Sequence, residues 1–473
     1  MARRATSRSL RARCVALWLI GLTVLCNGCG GGEDEPSFLV GAAKREITPS
    51  QATAPPDGNV YLGGYGVGPE RRSTGVLAPI FVRAFVVSNG TQTVAFAEHE
   101  TQGAFAAYKT GAFGAADIAA AVEAATAGTI QRSHVIVSSD HSHAGPDTTG
   151  VWGGLPDSYL AFLKEQTVGA IVDALAARRP AHLLVGRANA ASLLRSQFDE
   201  PPNDEIDGAL RVLVAADPDG FTPRAALINF AAHATVMSAD NTLISADWPG
   251  VVATRVEQAL GIDTAVVMLA DVGRTQPNRT DLPGESDPEK LAAYANDVTD
   301  HVLQAVGELK NAGGPSISAT QLFLREAYDN PFFPISALTT IMSRNDRAPW
   351  LDGNDVGTVV SAVRVGNVFF AAVPGEAYPA IQFALQERVP ADEHFIFGLA
   401  NDQLGYLIAP QEGYPQVAAA APDNDNAVFN VSPAIGDHVM CTLFKGARTV
   451  GFALPADPEH CAPYASEDNT LPF

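Results

Sequence analysis

HVIVSSDHSHAGP, residues 134–146, is the stretch on which the prediction of fold and function depends. Its first half contains the β-branched run at 135–137, which predicts a short buried strand. Its second half carries His141 and His143, and residues two apart in an extended chain point to the same side. Beyond the end of a buried strand, such a pair lies in the cleft of an α/β protein, where it binds a metal or transfers protons. One His-x-His pair is a weak signal, so the prediction needs partners elsewhere in the chain.

The composition predicts an acidic globular protein. The chain has 473 residues, of which 47% are hydrophobic and 18% are charged. These proportions allow a large core and exclude wholesale disorder. The 31 basic and 52 acidic side chains give a net charge of −21. We therefore expect no binding to nucleic acid and no electrostatic attraction to anionic lipid.

Residues 1–28 are predicted to be a signal peptide of the lipoprotein type. Five arginines precede an apolar segment at 14–26 that is too short to span a bilayer. Cys29 follows Gly28 and precedes three glycines, which resembles a bacterial lipoprotein cleavage box, with Cys26 where leucine is usual. We expect export to the bacterial cell envelope with a lipid anchor at Cys29, or simple secretion. Removal of the five arginines leaves 26 basic and 52 acidic side chains.

The cysteines that remain besides Cys29 are Cys441 and Cys461. In an oxidising compartment they are able to close one disulfide near the C-terminus, and the alternative is two buried free thiols.

Strand and helix signals alternate after a polar tether at 29–37 and predict an α/β fold with layered, mixed β-sheets and flanking helices. No break in composition divides residues 38–473, so we predict one large catalytic domain. The predicted strands lie at 81–87, 93–98, 182–186, 210–216, 225–233 and 264–271, with a hairpin at 357–373. The predicted helices lie at 115–127, 159–177, 249–260 and 287–309.

Polar residues follow five of the predicted apolar strands, including the strand at 135–137. Polar side chains gathered at the carboxyl ends of strands form the active sites of α/β proteins. Two imidazoles and a carboxylate, with a position left for water, are the ligands of catalytic zinc. Any one of these residues alone could be structural. At the other four strand ends stand His233, Asp271, Glu376 and the group Asn401, Asp402 and Tyr406.

The chain resembles the neutral ceramidase (neutral/alkaline non-lysosomal ceramidase) family over nearly the whole length after the signal segment. The resemblance implies a zinc-dependent amidohydrolase domain that cleaves the amide bond of ceramide to a fatty acid and a sphingosine-like base. It is carried, in family order, by VGAAKREITP (40–49), GYG (64–66), GVLAPIFVRAFVV (75–87), SSDHSHAGPD (138–147), LRS (194–196), NFAAHATVM (229–237), ADVGRTQPN (270–278), VPGEAYPA (373–380) and NDQLGYLIAPQEGY (401–414).

The resemblance also implies the metal ligands. His141, His233 and Glu376 match three ligands of the family's zinc ion. The fourth ligand is a tyrosine from the segment at 401–414. Tyr406 is the first choice and Tyr414 the alternative, because the alignment slips by one residue there.

By the same resemblance, His143 faces the substrate and Arg195 lies near the scissile amide. The family motif GDVSPN, which carries a serine, is replaced here by ADVGRTQPN, where Asp271 is kept and Thr275 is the only hydroxyl. Either Thr275 replaces the serine or a water molecule attacks directly, since zinc lowers the pKa of its bound water to about 7. The chain also ends where longer family members continue into an immunoglobulin-like domain.

Three functional hypotheses follow. The first is an exported zinc hydrolase acting on the amide bond of ceramide or a related lipid-like N-acyl substrate. The second keeps the chemistry but acts on a different small amide or an ester. The third is a catalytically inactive, lipid-anchored binding protein. The oligomeric state is not predicted.

Overall fold

The computed structural model describes residues 38–50, 52–53, 58–197, 206–218, 222–339, 341–409 and 429–473. The predicted signal peptide, the tether with Cys29, and Tyr414 lie outside these residues. In the part of the chain that is described, none of the helices has the length and apolar character needed to cross a membrane.

The described residues form two main β-sheets, three short two-stranded sheets and seven α-helices. The strands are β1 (Phe38–Glu46), β2 (Gly75–Val76), β3 (Phe81–Ser88), β4 (Thr93–His99), β5 (Val135–Ser139), β6 (Arg179–Asn189), β7 (Leu194–Ser196), β8 (Ala209–Ala216), β9 (Pro223–Phe230), β10 (Leu243–Ile244), β11 (Thr264–Leu269), β12 (Thr275–Pro277), β13 (Lys310–Asn311), β14 (Ile317–Ala327), β15 (Leu351–Asp352), β16 (Asp355–Val365), β17 (Val368–Ala372), β18 (Glu376–Ala377), β19 (Glu393–Phe397) and β20 (Tyr406–Leu407). The helices are α1 (Ala115–Ala125), α2 (Asp157–Ala176), α3 (Asp247–Leu260), α4 (Asp287–Val306), α5 (Phe332–Leu338), α6 (Pro379–Arg388) and α7 (Ile435–Thr449). Short two-stranded pairs supplement the two main sheets.

The larger sheet has the order β11-β9-β8-β6-β1-β3-β4-β5, and the smaller has the order β14-β16-β17-β19. Both are mixed, since β4–β5, β9–β11 and β17–β19 pair in parallel and the other neighbours on these paths pair antiparallel. The predicted hairpin at 357–373 is confirmed as β16 and β17.

The two sheets pack face to face through an aromatic core. In β4, every side chain is buried, and alternate residues face opposite layers. Phe96 points to the smaller sheet, where its ring lies 5.2 Å from Phe370 and 5.6 Å from Phe397. Ala95 and Ala97 point to the other face, in a cluster with apolar residues of α1 and α2. A strand buried on both faces requires cover on both sides, which explains the continuous apolar run of its sequence.

Helices cover the outer faces of both sheets. α2 packs on β1 and β3, α3 on β11, and α4 on β6 and β8, while α6 and α7 cover the smaller sheet. Gly41 permits the close approach of α2, because a Cβ at this position would lie 2.1 Å from the carbonyl oxygen of Ala174. The result is a layered helix–sheet–sheet–helix arrangement, which confirms the predicted fold class.

The element boundaries differ from the predicted ones at several ends. α3 begins at Asp247 rather than at Pro249, and α4 ends at Val306 rather than at 309. β9 ends at Phe230, so His233 lies three residues beyond the strand instead of closing it.

Cys441 of α7 and Cys461 form a disulfide with their Cα atoms 5.4 Å apart. The disulfide alternative is therefore confirmed over the two free thiols.

Candidate metal centre and substrate pocket

Three imidazoles meet beyond the carboxyl ends of β5 and β9. The ligand nitrogens of His141, His143 and His233 lie within 4.8 Å of one another, and all three side chains are buried. The sequence predicted that an extended backbone would bring His141 and His143 together, and this reason is wrong. His141 has a φ of +53°, a left-handed conformation that is uncommon outside glycine. This turn still brings the two rings together, with His143 Nε2 at 3.3 Å from His141 Nε2.

Backbone carbonyls fix the orientation of two of these rings. Nδ1 of His141 donates to the carbonyl oxygen of Gln102 at 2.9 Å, and Nδ1 of His233 donates to that of Thr275 at 3.1 Å. The proton on Nδ1 leaves Nε2 as a lone-pair donor that faces the cluster, as in metal-binding histidines. His143 differs, because its buried Nδ1 has no hydrogen-bond partner among the described residues.

Glu376 completes the cluster as its only carboxylate in the described structure. Its Oε2 lies 3.0 Å from His233 Nε2 and 3.6 Å from His141 Nε2. With Nδ1 protonated, each of these contacts joins two atoms that carry lone pairs. Such atoms repel one another unless a proton or a cation lies between them. The donor set therefore fits a divalent cation.

The cluster attracts positive charge, either a proton or a cation. Burial lowers the pKa of His141, but the Glu376 carboxylate outweighs burial and raises it. Burial disfavours the charged form of Glu376, but the imidazoles of His141 and His233 outweigh it and hold the pKa of the carboxyl well below its usual range. Burial, reinforced by the two neighbouring imidazoles, lowers the pKa of His143 well below its usual value. His143 is thus neutral near pH 7 and able to accept a proton.

Tyr406 lies beside Glu376 through a short parallel strand pair. β18 and β20 pair with Glu376 opposite Tyr406, so both side chains leave the backbone at the same level. Tyr406 is buried and lines the same cavity as Glu376, His141 and His143. The first-choice tyrosine therefore lies next to Glu376 across the strand pair and lines the same cavity.

A cavity of about 330 Å³ adjoins the cluster. Its polar lining includes His141, His143, Glu376, Tyr406 and Gln102, all of which are buried. Most of the other lining residues are apolar, and some of these are widely exposed. The cavity thus runs from a buried polar end to an apolar mouth at the surface. The large apolar lining residues are Phe105, Trp152, Phe332, Phe333, Ile341, Met342, Leu404 and Phe429.

The loop before β2 supports His143. The Tyr65 ring meets the His143 ring edge-on, with centroids 4.7 Å apart. The buried guanidinium of Arg71 donates at 2.8 Å to the carbonyl oxygens of both His143 and Gly63. Gly64 touches the ring itself, since a Cβ there would lie 2.2 Å from His143 Cγ. The GYG motif signalled this loop, whereas no sequence signal pointed to Arg71 or to Gln102.

Asn401 and Asp402 fix the position of the loop that carries Gln403 and Tyr406. Asp402 is fully buried and pairs with Arg344 at 2.6 Å. Asn401 accepts a hydrogen bond from the backbone N–H of Val137 at 2.9 Å, which ties the loop to β5. Both residues therefore position the site without lining it.

Three other predicted residues lie away from the described cavity wall. Arg195 is exposed on β7, opposite Gln276 of β12. Thr275 is fully buried, and its hydroxyl donates to the carbonyl oxygen of Asp271 at 3.4 Å. Asp271 is also fully buried, at the turn after β11. The structure brings Thr275 to the site through its backbone carbonyl, which orients His233.

The family model described as neutral/alkaline non-lysosomal ceramidase, N-terminal, matches residues 38–295. This match covers more than half of the chain and defines the protein as a hydrolase that acts on amide bonds. The chain belongs to the neutral/alkaline non-lysosomal ceramidase family.

Solved structures share its fold. Neutral ceramidase from Pseudomonas aeruginosa has 17% sequence identity and a TM-score of 0.70, over 90% of this chain and 77% of that chain. A ceramidase complexed with C2 has 16% identity and a TM-score of 0.70, over 90% of this chain and 78% of that chain. At such identities the likeness shows the fold alone. A comparison with curated proteins found no match.

Proposed function

We propose that this protein is a zinc-dependent hydrolase that cleaves the amide bond of ceramide, or of a closely related N-acyl lipid, to a fatty acid and an amine. The observation that carries the proposal is the cluster of His141, His233 and Glu376 beside an apolar cavity of about 330 Å³. Family membership supports the amide chemistry, and the apolar wall suits a hydrocarbon chain.

His141, His233, Glu376 and Tyr406 would hold the metal. Zinc is our choice because two imidazoles with a carboxylate are typical of its catalytic sites. The carbonyls that fix Nδ1 of both histidines support this assignment, as does the 3.0 Å contact between His233 and Glu376. When bound, the ion supplies a Lewis acid for the amide carbonyl and lowers the pKa of a water molecule.

His143 is our candidate for proton transfer. Its ring lines the cavity, its Nδ1 is not tied to a described carbonyl, and its lowered pKa keeps it neutral. A neutral imidazole within reach of the substrate accepts a proton from water and returns it to the leaving amine. Tyr65 and Gly64 hold the ring in one position for this role.

Water is favoured over Thr275 as the nucleophile. The Thr275 hydroxyl is fully buried and already donates to Asp271, and the described cavity wall does not include it. Asp271 then acts by shaping the turn that presents Thr275. The roles of Arg195 near the amide and of Tyr414 as an alternative ligand remain predictions from the resemblance, as do export and the lipid anchor at Cys29.

Metal content and hydrolysis, measured on the same purified full-length chain, test the proposal. We expect one zinc per chain by elemental analysis, and turnover of a fluorescent short-chain ceramide. His233→Ala should lose both, whereas His301→Ala, on α4 and outside the described cavity wall, should keep both. A chain that binds zinc but turns over only small amides or esters would overturn the substrate assignment. A chain without zinc that still hydrolyses ceramide would overturn the metal assignment.

A further inference from the structure

Large apolar side chains are exposed around the cavity mouth. In the described part of the chain, eight large hydrophobic residues are exposed, and five of them belong to this region. We call these five residues the mouth patch. They are Val67, Phe332, Ile335, Leu338 and Ile341, with 41–64% of each side chain exposed.

α5 provides the centre of the mouth patch. Phe332, Ile335 and Leu338 follow one another at intervals of three, which places them on one side of the helix. Phe333 and Ala337 are buried on the other side. The helix thus has apolar side chains on both sides, and the outward side has no partner among the described residues. Contiguous exposure of this kind marks an interaction surface.

The mouth patch is preformed rather than loosely attached. Before α5, Asn330 donates to the carbonyl oxygen of Asn430 at 2.8 Å and accepts from the Phe332 N–H at 3.0 Å. After α5, the Lys109 ammonium donates to the carbonyl oxygen of Thr339. Both ends of the helix are therefore held to the body of the protein.

The mouth patch is continuous with the cavity. Val67, Phe332 and Ile341 are exposed to solvent and also line the cavity wall. An apolar chain that enters between them first passes along apolar side chains. It then reaches His143 and Glu376 at the buried polar end of the cavity. Such an opening fits a partner surface that contains hydrocarbon chains, which is a lipid surface.

We propose that the mouth patch docks this protein on the surface of a zwitterionic lipid bilayer, so that the substrate enters the cavity directly from the lipid. This inference rests on the proposed function. The occupant is a neutral lipid surface because the chain has 52 acidic and 31 basic side chains, which disfavours an anionic one. Docking through apolar side chains of this kind depends on buried area and not on ionic strength.

Ile335→Ser combined with Leu338→Ser tests the proposal, since neither residue lines the described cavity. The matched control is Val76→Ser combined with Leu77→Ser, which removes two exposed apolar side chains elsewhere. All chains carry Cys29→Ser, so that the predicted lipid anchor cannot contribute. The probes are phosphatidylcholine vesicles with and without a small fraction of fluorescent long-chain ceramide, and a water-soluble short-chain ceramide.

The parent chain and the control should bind the vesicles equally at low and high salt. The mouth-patch variant should bind at least about tenfold more weakly, because each side chain contributes through its buried apolar area. Its turnover of vesicle ceramide should fall in proportion, while its kcat/KM for the soluble substrate stays unchanged.

Three results would overturn the docking proposal: vesicle turnover that survives in the mouth-patch variant, binding by the parent only to anionic vesicles, or a parent dimer that the variant abolishes without any vesicle binding. If the parent turned over neither substrate, the proposed function would fail, and vesicle binding would still decide the docking proposal by itself.

Discussion

Replacing Gly64 with alanine should disable the site by displacing His143. The added methyl group would lie 2.2 Å from Cγ and 2.4 Å from Nδ1 of His143, whereas ordinary contact begins at 3.4 Å. The ring or the loop must therefore move by roughly 1.2 Å, and a misplacement of about 1 Å costs on the order of 100-fold in rate. We expect kcat for a short-chain ceramide to fall by about that factor, which corresponds to about 2.7 kcal/mol of activation free energy.

Backbone strain must be separated from this steric effect. Gly64 has a φ of +94°, and alanine in the left-handed region costs about 1–2 kcal/mol of stability. Gly90→Ala is the matched control, since Gly90 has a φ of +89° and no atom within 4 Å of the added methyl. Both variants should lose the backbone cost, Gly64→Ala should lose about 1–3 kcal/mol more through overpacking against His143, and only Gly64→Ala should lose activity. If Gly64→Ala kept the parent rate, the position of the His143 ring would not matter and its proposed role would be refuted.

Three further predictions concern the metal, the pH and the disulfide. Glu376→Gln should lower the affinity for zinc, measured by competition with a chelator, by at least about 10–100-fold. Loss of a residue that only hydrogen-bonds to a metal ligand already costs that much. Unchanged affinity would show that Glu376 is not a ligand. Burial lowers the pKa of His99 to about 4, so the unfolded state takes up its proton first as the pH falls through 6.5. The contribution of His99 to the free energy of unfolding should therefore decrease by about 3 kcal/mol from pH 7 to pH 4. In denaturant titrations at the two pH values, His99→Gln should differ from the parent by about that amount in its pH dependence. The disulfide Cys441–Cys461 closes a loop with a sequence separation of 20, and its reduction should lower the free energy of unfolding by about 3 kcal/mol. Denaturant titrations with and without reductant measure this, and an unfolding midpoint that reductant does not change would contradict it.

The sequence predicted the elements of the fold well and their ends less well. Apolar runs such as that of β4 predict buried strands, because a strand covered on both faces needs apolar residues at every position. The predicted end of β9 was wrong because Ala231 and Ala232 continue the apolar run, although the chain has already left the sheet. Pattern alone does not show where hydrogen bonding to a neighbouring strand stops.

Residue type and position along the chain determined much about this protein by themselves. His141, His233 and Glu376 are polar residues that follow apolar strands by two to four positions. The sequence therefore indicated a metal site and the likeness to an amidohydrolase family. Only the tertiary structure decided how each of these side chains is oriented and which residues surround it. The carbonyls of Gln102 and Thr275 orient two of the imidazoles, and these carbonyls are backbone atoms that carry no sequence signal. The mouth patch likewise joins residues far apart in the chain, since exposure is a property of the packed molecule and not of the residue.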